Sequence, residues 1–323
     1  MIKHRYEHQI DPNGGSAAAR LARMVRPGQR VLELGTGPGT VTRILHEKGC
    51  RVTGVELDAS AAALCAPYCE RMVQGDLEDA DWQSQLQAQR FDAVICADVL
   101  EHLRDPRALL KTLPAFLEPE GCILISLPNA GHLSVVASLL AGRFAYQDKG
   151  LLDSTHLRFF GREDIERMLA ECGLLWLQWE TVEVPPESSE LQHFWHRLTA
   201  QEQDLLRSRG REGLVYQHVI RACPAQETAM VQRLAVLMDQ LQQQQTLQAQ
   251  SELALASCER EKNALLQELD QREHNTTLLQ HSINALQQTR NELQQTLNAL
   301  LSSHSWRITQ PLRDIGRWLR GLL

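Results

Sequence analysis

Val31-Leu-Glu-Leu-Gly-Thr-Gly-Pro-Gly-Thr40 is an apolar run that passes through an acid and breaks into three glycines at alternate positions. Val31 to Leu34 read as a buried parallel strand with Glu33 near its carboxyl end. Gly35, Gly37 and Gly39 let the backbone turn sharply and approach a ligand closely. A helix starts at Val41, so its first amides point at whatever sits over the loop. Strand, glycine loop and helix N-terminus make a nucleotide-type site. The spacing narrows the choice. A dinucleotide fingerprint needs G-x-G-x-x-G, and the position that would hold its third glycine is Thr40. No G-x-x-x-x-G-K-[ST] follows, which removes a P-loop.

The 323 residues allow one large domain with an appendage, and 43% hydrophobic residues suffice for a core. The net charge of -7 argues against nucleic acid as a partner. Met1 to Ala18 contain no apolar stretch of signal-peptide type, and no run is long enough to span a bilayer. Eight cysteines without C-x-x-C spacing predict reduced thiols in the cytoplasm and no zinc site.

Two regimes divide the chain. Residues 1–224 alternate short apolar strands with helical patterns, which predicts an α/β, doubly wound, mostly parallel sheet of seven strands. A polar helix over Ser188 to Arg209 is expected between the last two strands. Residues 225–304 contain no proline or glycine and are rich in glutamine. From Leu255 to Leu300 a seam recurs at spacings of three and four, and ten of its fourteen positions are apolar, counting Cys258. This predicts a long α-helical coiled coil and self-association through it. Lys262, Arg272, Thr276 and Arg290 interrupt the seam and restrict register. Residues 305–323 carry Trp306, Trp318 and three arginines after Pro311, a basic amphipathic pattern that suits a membrane surface or a partner protein.

The E-x-G-x-G-x-G run from Glu33 resembles motif I of the class I S-adenosylmethionine (SAM) methyltransferases. Val52-Thr-Gly-Val-Glu-Leu57, Gln74-Gly-Asp-Leu77 and the strand that begins at Phe91 and ends at Cys96–Ala97 follow in the family's order. The resemblance covers about residues 1–224. It implies a Rossmann-like methyltransferase sheet that binds SAM through Glu33, Gly35, Thr36, Gly37, Gly39, Glu56, Leu57, Asp76, Leu77 and Ala97. Glu56 takes the ribose hydroxyls and Asp76 the adenine amine. The segment Tyr6 to Ser16 is expected to fold over the donor.

A hydroxyl acceptor must lose a proton, often to a histidine. His102 and His156 are the candidates. Asp153 is placed to orient His156, and Asn129, His132 and Arg158 are candidate acceptor contacts. Asp98 and Glu101 adjoin His102, but the three do not clearly converge in the sequence, so no metal is expected. Ser126-Leu-Pro-Asn-Ala-Gly-His132, Asp153-Ser-Thr-His-Leu-Arg-Phe-Phe160 and the tail from Ser305 resemble a subgroup of bacterial cell-surface polysaccharide (O-antigen) enzymes. That subgroup is itself similar to the enzymes that O-methylate ubiquinone precursors. The resemblance implies O-methylation of a sugar or glycan chain end, at the inner membrane face through the tail, beside glycan-assembly enzymes. The alternatives are a quinone-type phenol as acceptor, or a coiled-coil scaffold that sets length.

Overall fold

The computed structural model describes residues 10–208 and 210–302. Seven strands form one sheet: β1 Arg30–Leu34, β2 Arg51–Glu56, β3 Arg71–Gln74, β4 Phe91–Ala97, β5 Leu117–Pro128, β6 Leu174–Glu183 and β7 Val215–Pro224. Their order is β3-β2-β1-β4-β5-β7-β6, with β7 antiparallel to both neighbours. Among the described residues, ten α-helices accompany them: α1 Ala17–Met24, α2 Thr40–Glu47, α3 Ala59–Cys65, α4 Asp81–Ser84, α5 Pro106–Thr112, α6 Leu133–Leu140, α7 Arg162–Glu171, α8 Gln192–Trp195, α9 Ala200–Arg207 and α10 Glu227–Ser302.

The central strands are apolar on both faces because both are covered. Val31, Val52, Ile95 and Leu124 pack with α1 and α2 on one side, and Leu32, Val94, Ile123 and Ile125 pack with α5 and α7 on the other. Full burial of one such side chain contributes about 1.5–3 kcal/mol. The chain winds from β1 outward to β3, then returns to lay β4 on the other side of β1. The strand order reverses between β1 and β4, and ligands of open α/β sheets bind at the carboxyl ends there.

The sequence expectation of one helix over Ser188 to Arg209 is corrected. The segment holds α8 and α9, separated by a fresh helix start at Thr199. Thr199 accepts from the Glu202 amide at 3.3 Å, and Glu202 accepts from the Thr199 amide at 2.7 Å. Such a reciprocal cap begins a new helix instead of continuing one.

Asn129 and His132 are also corrected. Both are fully buried and hold the scaffold, so neither meets an acceptor. The Asn129 amide donates to the carbonyls of Glu212 at 3.1 Å and Val215 at 2.8 Å, and accepts from the Gly131 amide at 2.9 Å. It therefore stitches the end of β5 to the start of β7. His132 sits between Ser134 Oγ and the Val184 carbonyl, each 2.8 Å from a ring nitrogen. Burial lowers its pKa, so it stays neutral.

The chain divides into two units, Met1–Gln240 and Leu241–Leu323. The first turns of α10 belong to the first unit, where the Arg233 guanidinium stacks over the Trp176 ring of β6 at 3.1 Å. The helix continues without interruption to Ser302, and the tail from Ser305 lies outside the described residues. Removing the Asn129 clamp strands the buried Val215 carbonyl and breaks two partly buried bonds, to the Glu212 carbonyl and the Gly131 amide. Asn129→Ala should lower unfolding free energy by about 2–4 kcal/mol, since each unsatisfied buried group costs about 1–3. Urea denaturation measures this, and a change under about 0.5 kcal/mol would contradict the assignment.

Candidate functional site

The glycine loop leaves β1 with all three glycines left-handed, at φ 66° for Gly35, 51° for Gly37 and 88° for Gly39. A side chain at each would meet a different fate. A Cβ at Gly35 would lie 2.7 Å from Val99, and one at Gly39 would lie 3.1 Å from Cys65 Sγ. A Cβ at Gly37 would meet nothing within 4 Å, so only the middle glycine faces open space. The Gly35 and Thr36 amides donate to the Val55 carbonyl at 2.8 and 3.3 Å, which ties the loop to β2. Gly37 donates its amide to Glu56 Oε2 at 2.7 Å, and Glu56 Oε1 accepts from the Asp58 amide at 2.9 Å. No side chain caps α2 behind Gly39. A helix N-terminus beside open space suits a carboxylate.

The rim continues along β2 and β3. Leu57 is 62% exposed after β2. The Asp76 carboxylate accepts from the Glu78 amide at 2.9 Å in a tight turn after β3, and Leu77 packs half-buried against the core beside it. Ala97 ends β4 in register with Ser126 of β5. The donor residues expected from sequence thus share one edge, with two exceptions. Thr36 is buried beneath the loop. Glu33 is 1% exposed, and its Oε2 accepts from the Thr42 hydroxyl at 2.7 Å. Burial, and secondarily the Cys65 thiol, push its carboxyl up to about 8. Glu33 locks α2 onto β1 largely as a neutral acid, and presents no charge to the cleft. The fit to SAM rests on the open cradle at Gly37, the uncapped α2 and the carboxylates of Glu56 and Asp76.

Across the switch point, β4 ends in a strained turn. Asp98 has φ 53°, which only it adopts among the described non-glycine residues. Such strain costs about 1–3 kcal/mol and clusters at functional sites. Its Oδ1 accepts from the Ser126 hydroxyl at 2.6 Å, and the Gln217 amide donates to Oδ1 and Oδ2 at 2.9 and 3.0 Å. Asp98 is exposed as a residue, yet its carboxyl lies deep enough among protein atoms for desolvation to raise its pKa. In the sequence Asp98 stands out only as a neighbour of His102, and Gln217 does not stand out at all. No motif signals Gln217, because it reaches the site from β7, well over a hundred residues later.

The segment after β4 meets the loop that carries His156. The Leu157 and Arg158 amides donate to the Glu101 carbonyl at 2.8 and 3.0 Å. This brings His102 and His156 together, with ring centroids 4.8 Å apart. His102 Nδ1 lies 3.2 Å from the Thr155 carbonyl, and His156 Nδ1 lies 3.3 Å from the Leu151 carbonyl. A carbonyl only accepts, so each Nδ1 carries a proton, and the neutral ring keeps its lone pair on Nε2. Burial, then the neighbouring His102, lower the His156 pKa. It is therefore neutral near pH 7. Phe159, Phe144 and Tyr146 continue from His156 as edge-to-face rings spaced 6.1, 5.1 and 5.0 Å. This aromatic row runs to the surface, where Tyr146 is 57% exposed.

Asp153 and Arg158 both bond within this pair of loops. Asp153 accepts from the Thr155 amide at 2.9 Å and hydroxyl at 2.7 Å, and that hydroxyl lies 3.1 Å from His102 Nδ1. Asp153 thus steadies His102 through Thr155. Arg158 is exposed and donates to the Arg104 carbonyl at 3.1 Å, which braces the chain there.

Glu101 completes the group. It is 1% exposed, and neither carboxylate oxygen has a hydrogen-bond partner. Burial and the nearby Asp98 hold its carboxyl well above the usual range. One potential ligand atom each from Glu101, His102 and His156 lies within 4.8 Å of the others. The structure brings together residues that do not converge in the sequence. A carboxylate and two neutral imidazoles suit Zn²⁺, Mn²⁺ or Fe²⁺, and a cation would displace the Glu101 proton.

Two outcomes follow. Gly37→Val fills the cradle and forces a β-branched residue to positive φ, so SAM affinity should fall at least about 100-fold, roughly 2.7 kcal/mol. Equilibrium dialysis against labelled SAM measures this, and retained affinity would remove the loop from the site. Saturating Mn²⁺ or Zn²⁺ should raise Tm by about 5 °C in the wild type and not in Glu101→Gln. Equal shifts in the two would contradict a cation site at Glu101.

The family model described as "Methyltransferase domain" matches residues 4–178. Among curated relatives, a ubiquinone biosynthesis O-methyltransferase of Idiomarina loihiensis is 30% identical over 152 residues, covering 46% of this chain and 62% of its own length. One of Coxiella burnetii is 24% identical over 168 residues, 50% of this chain and 70% of its own. This chain therefore spans between about half and seven-tenths of the length of the curated relatives it matches. A SAM-dependent methyltransferase structure from Archaeoglobus fulgidus is 18% identical, covers 64% of this chain and 91% of its own, and superposes with a TM-score of 0.45. The chain belongs to the methyltransferase-domain family, and the matched residues lie within its first unit.

Proposed function

We propose that this chain transfers the methyl group of SAM to a hydroxyl of a small phenol-type acceptor. When bound, SAM supplies an electrophilic methyl on a sulfonium that leaves as a neutral thioether. Gly37, the first amides of α2, Glu56 and Asp76 hold the donor. The observation that carries the acceptor side is His156, buried, neutral and with Nε2 unprotonated, at the inner end of the aromatic row. That nitrogen accepts the hydroxyl proton, and Phe159, Phe144 and Tyr146 offer faces to an aromatic ring. The relatives' printed names favour a phenol over a sugar. His156 cannot serve as base and as metal ligand at once, and the cation titration above separates the two roles.

The glycan reading keeps one support. The helix from Glu227 lies beyond the matched residues 4–178. Such a helix suits a scaffold or spacer more than a free small-molecule enzyme. Self-association through residues 255–300 belongs to this proposal, as does contact of the tail with a membrane surface or a glycan-assembly enzyme. Among the described residues, no helix is long and apolar enough to cross a membrane.

Labelled methyl from SAM should appear on catechol-type phenols and not on nucleotide sugars or lipid-linked glycans. Labelling of the sugars alone would overturn the phenol reading. His156→Ala should cut kcat about 10²–10⁴-fold, with SAM affinity within about threefold of wild type. Unchanged turnover would remove His156 from the chemistry.

A further inference from the structure

Every seam side chain of α10 from Leu255 to Leu300 is exposed, with Leu255, Leu279, Leu286 and Leu293 at 63, 65, 70 and 66%. A helix that exposes a regular apolar row needs a partner of equal length and matching period. A second copy of the same helix has both. We infer that α10 pairs with α10 of a second copy in antiparallel orientation, in the register that sets residue 255 opposite residue 300. The inference rests on the self-association proposed above and adds its direction.

Charge decides the direction. The spacing assigns Leu255, Lys262, Leu269, Thr276, Ile283, Arg290 and Leu297 to one row of the seam (a), and Cys258, Leu265, Arg272, Leu279, Leu286, Leu293 and Leu300 to the other (d). A parallel dimer with its two-fold along the coil is in register, so each residue faces its own copy. Lys262 would then face Lys262, Arg272 would face Arg272 and Arg290 would face Arg290. The flanking Glu268 and Glu273 would also meet across the interface, since parallel strands join these flanking positions five residues apart. A stagger that avoids this is not closed by symmetry and leaves open ends.

The antiparallel register removes every one of these contacts. Rows a and d now face each other. Lys262 meets Leu293, Arg272 meets Ile283 and Arg290 meets Leu265. Each cation faces an apolar residue that covers its stem, and the nearest like charges, Lys262 and Arg290 of opposite copies, lie one layer apart instead of face to face. Arg272 already bonds Glu268 on its own helix at 2.8 Å. The flanking glutamates meet only Gln and Thr: Glu261 faces Thr296, Glu268 faces Thr289 and Glu273 faces Gln280. Lys262, Arg272 and Arg290, which weaken the seam as a parallel coil, set its direction as an antiparallel one.

Cys258 reports the outcome, because it is exposed while the other seven cysteines are buried or half-buried. Parallel pairing puts the two Cys258 thiols in one layer. Antiparallel pairing puts Cys258 opposite Leu297 and the two Cys258 residues tens of ångströms apart, at 1.5 Å rise per residue. The test uses the full chain, sized by light scattering, then mildly oxidised and run on non-reducing gels. Leu297→Cys should cross-link at least tenfold more than wild type, and the double variant Cys258→Ser with Leu297→Cys should lose the cross-link. Cross-linking of the wild type through Cys258, or of the double variant through its introduced thiol, would establish parallel chains and overturn the inference. A dimer in which none cross-links overturns the orientation while leaving self-association intact. A monomer overturns self-association, and the orientation with it.

Discussion

The hydrogen bond from the Gly37 amide to the Glu56 carboxylate, 2.7 Å long, joins the two strand ends on which the donor site depends. Gly37 faces open space, so its position in the cleft is set by its backbone partners alone. Glu56 also accepts from Asp58, whose carboxylate caps α3, so one side chain fixes the loop after β1 and the turn after β2 together. Beneath them, Glu33 binds Thr42 and fastens α2 to β1. The cleft is preorganised by these ties before any ligand arrives. A rigid cradle costs less to fill than one ordered on binding.

The opposite wall works differently. It holds groups whose own needs are not met within the protein. Asp98 is strained in φ, Glu101 is buried with neither oxygen bonded, and His156 is held neutral by burial with its Nδ1 at a carbonyl. A buried carboxylate without a partner is expensive, and its acid form lowers that cost. Such groups stand where an acceptor proton or a cation has to be accommodated. The loop carrying Asp153 to Phe160 keeps them together through backbone bonds to Glu101, and through Thr155 to His102.

The sheet was legible because buried parallel strands are short apolar runs, and β1 to β4 end where the runs end. The donor loop was legible because left-handed turns require glycine. Side-chain direction was less so. Glu33 and Glu56 are both acids at or near strand ends, yet one points into the α2 contact and the other into the loop. Asn129 and His132 look like site residues because polar groups after a strand often are. Their partners, Glu212, Val215 and Val184, come from distant segments that no local pattern reveals. The cluster of Glu101, His102 and His156 needs a tertiary contact between two loops, and so does the reach of Gln217 to Asp98. The helix α10 was readable because no proline or glycine breaks the chain between residues 227 and 302.

The most direct test of the donor site is a spectrum of the full chain labelled with ¹⁵N only at its 19 glycines, recorded as SAM is added. Saturable one-to-one movement of the Gly35, Gly37 and Gly39 amides is expected, largest at Gly37, while Gly142 and Gly173 stay in place. A glycine spectrum unchanged at millimolar SAM, or movement confined to glycines outside the loop, would contradict a SAM cradle built on Gly37.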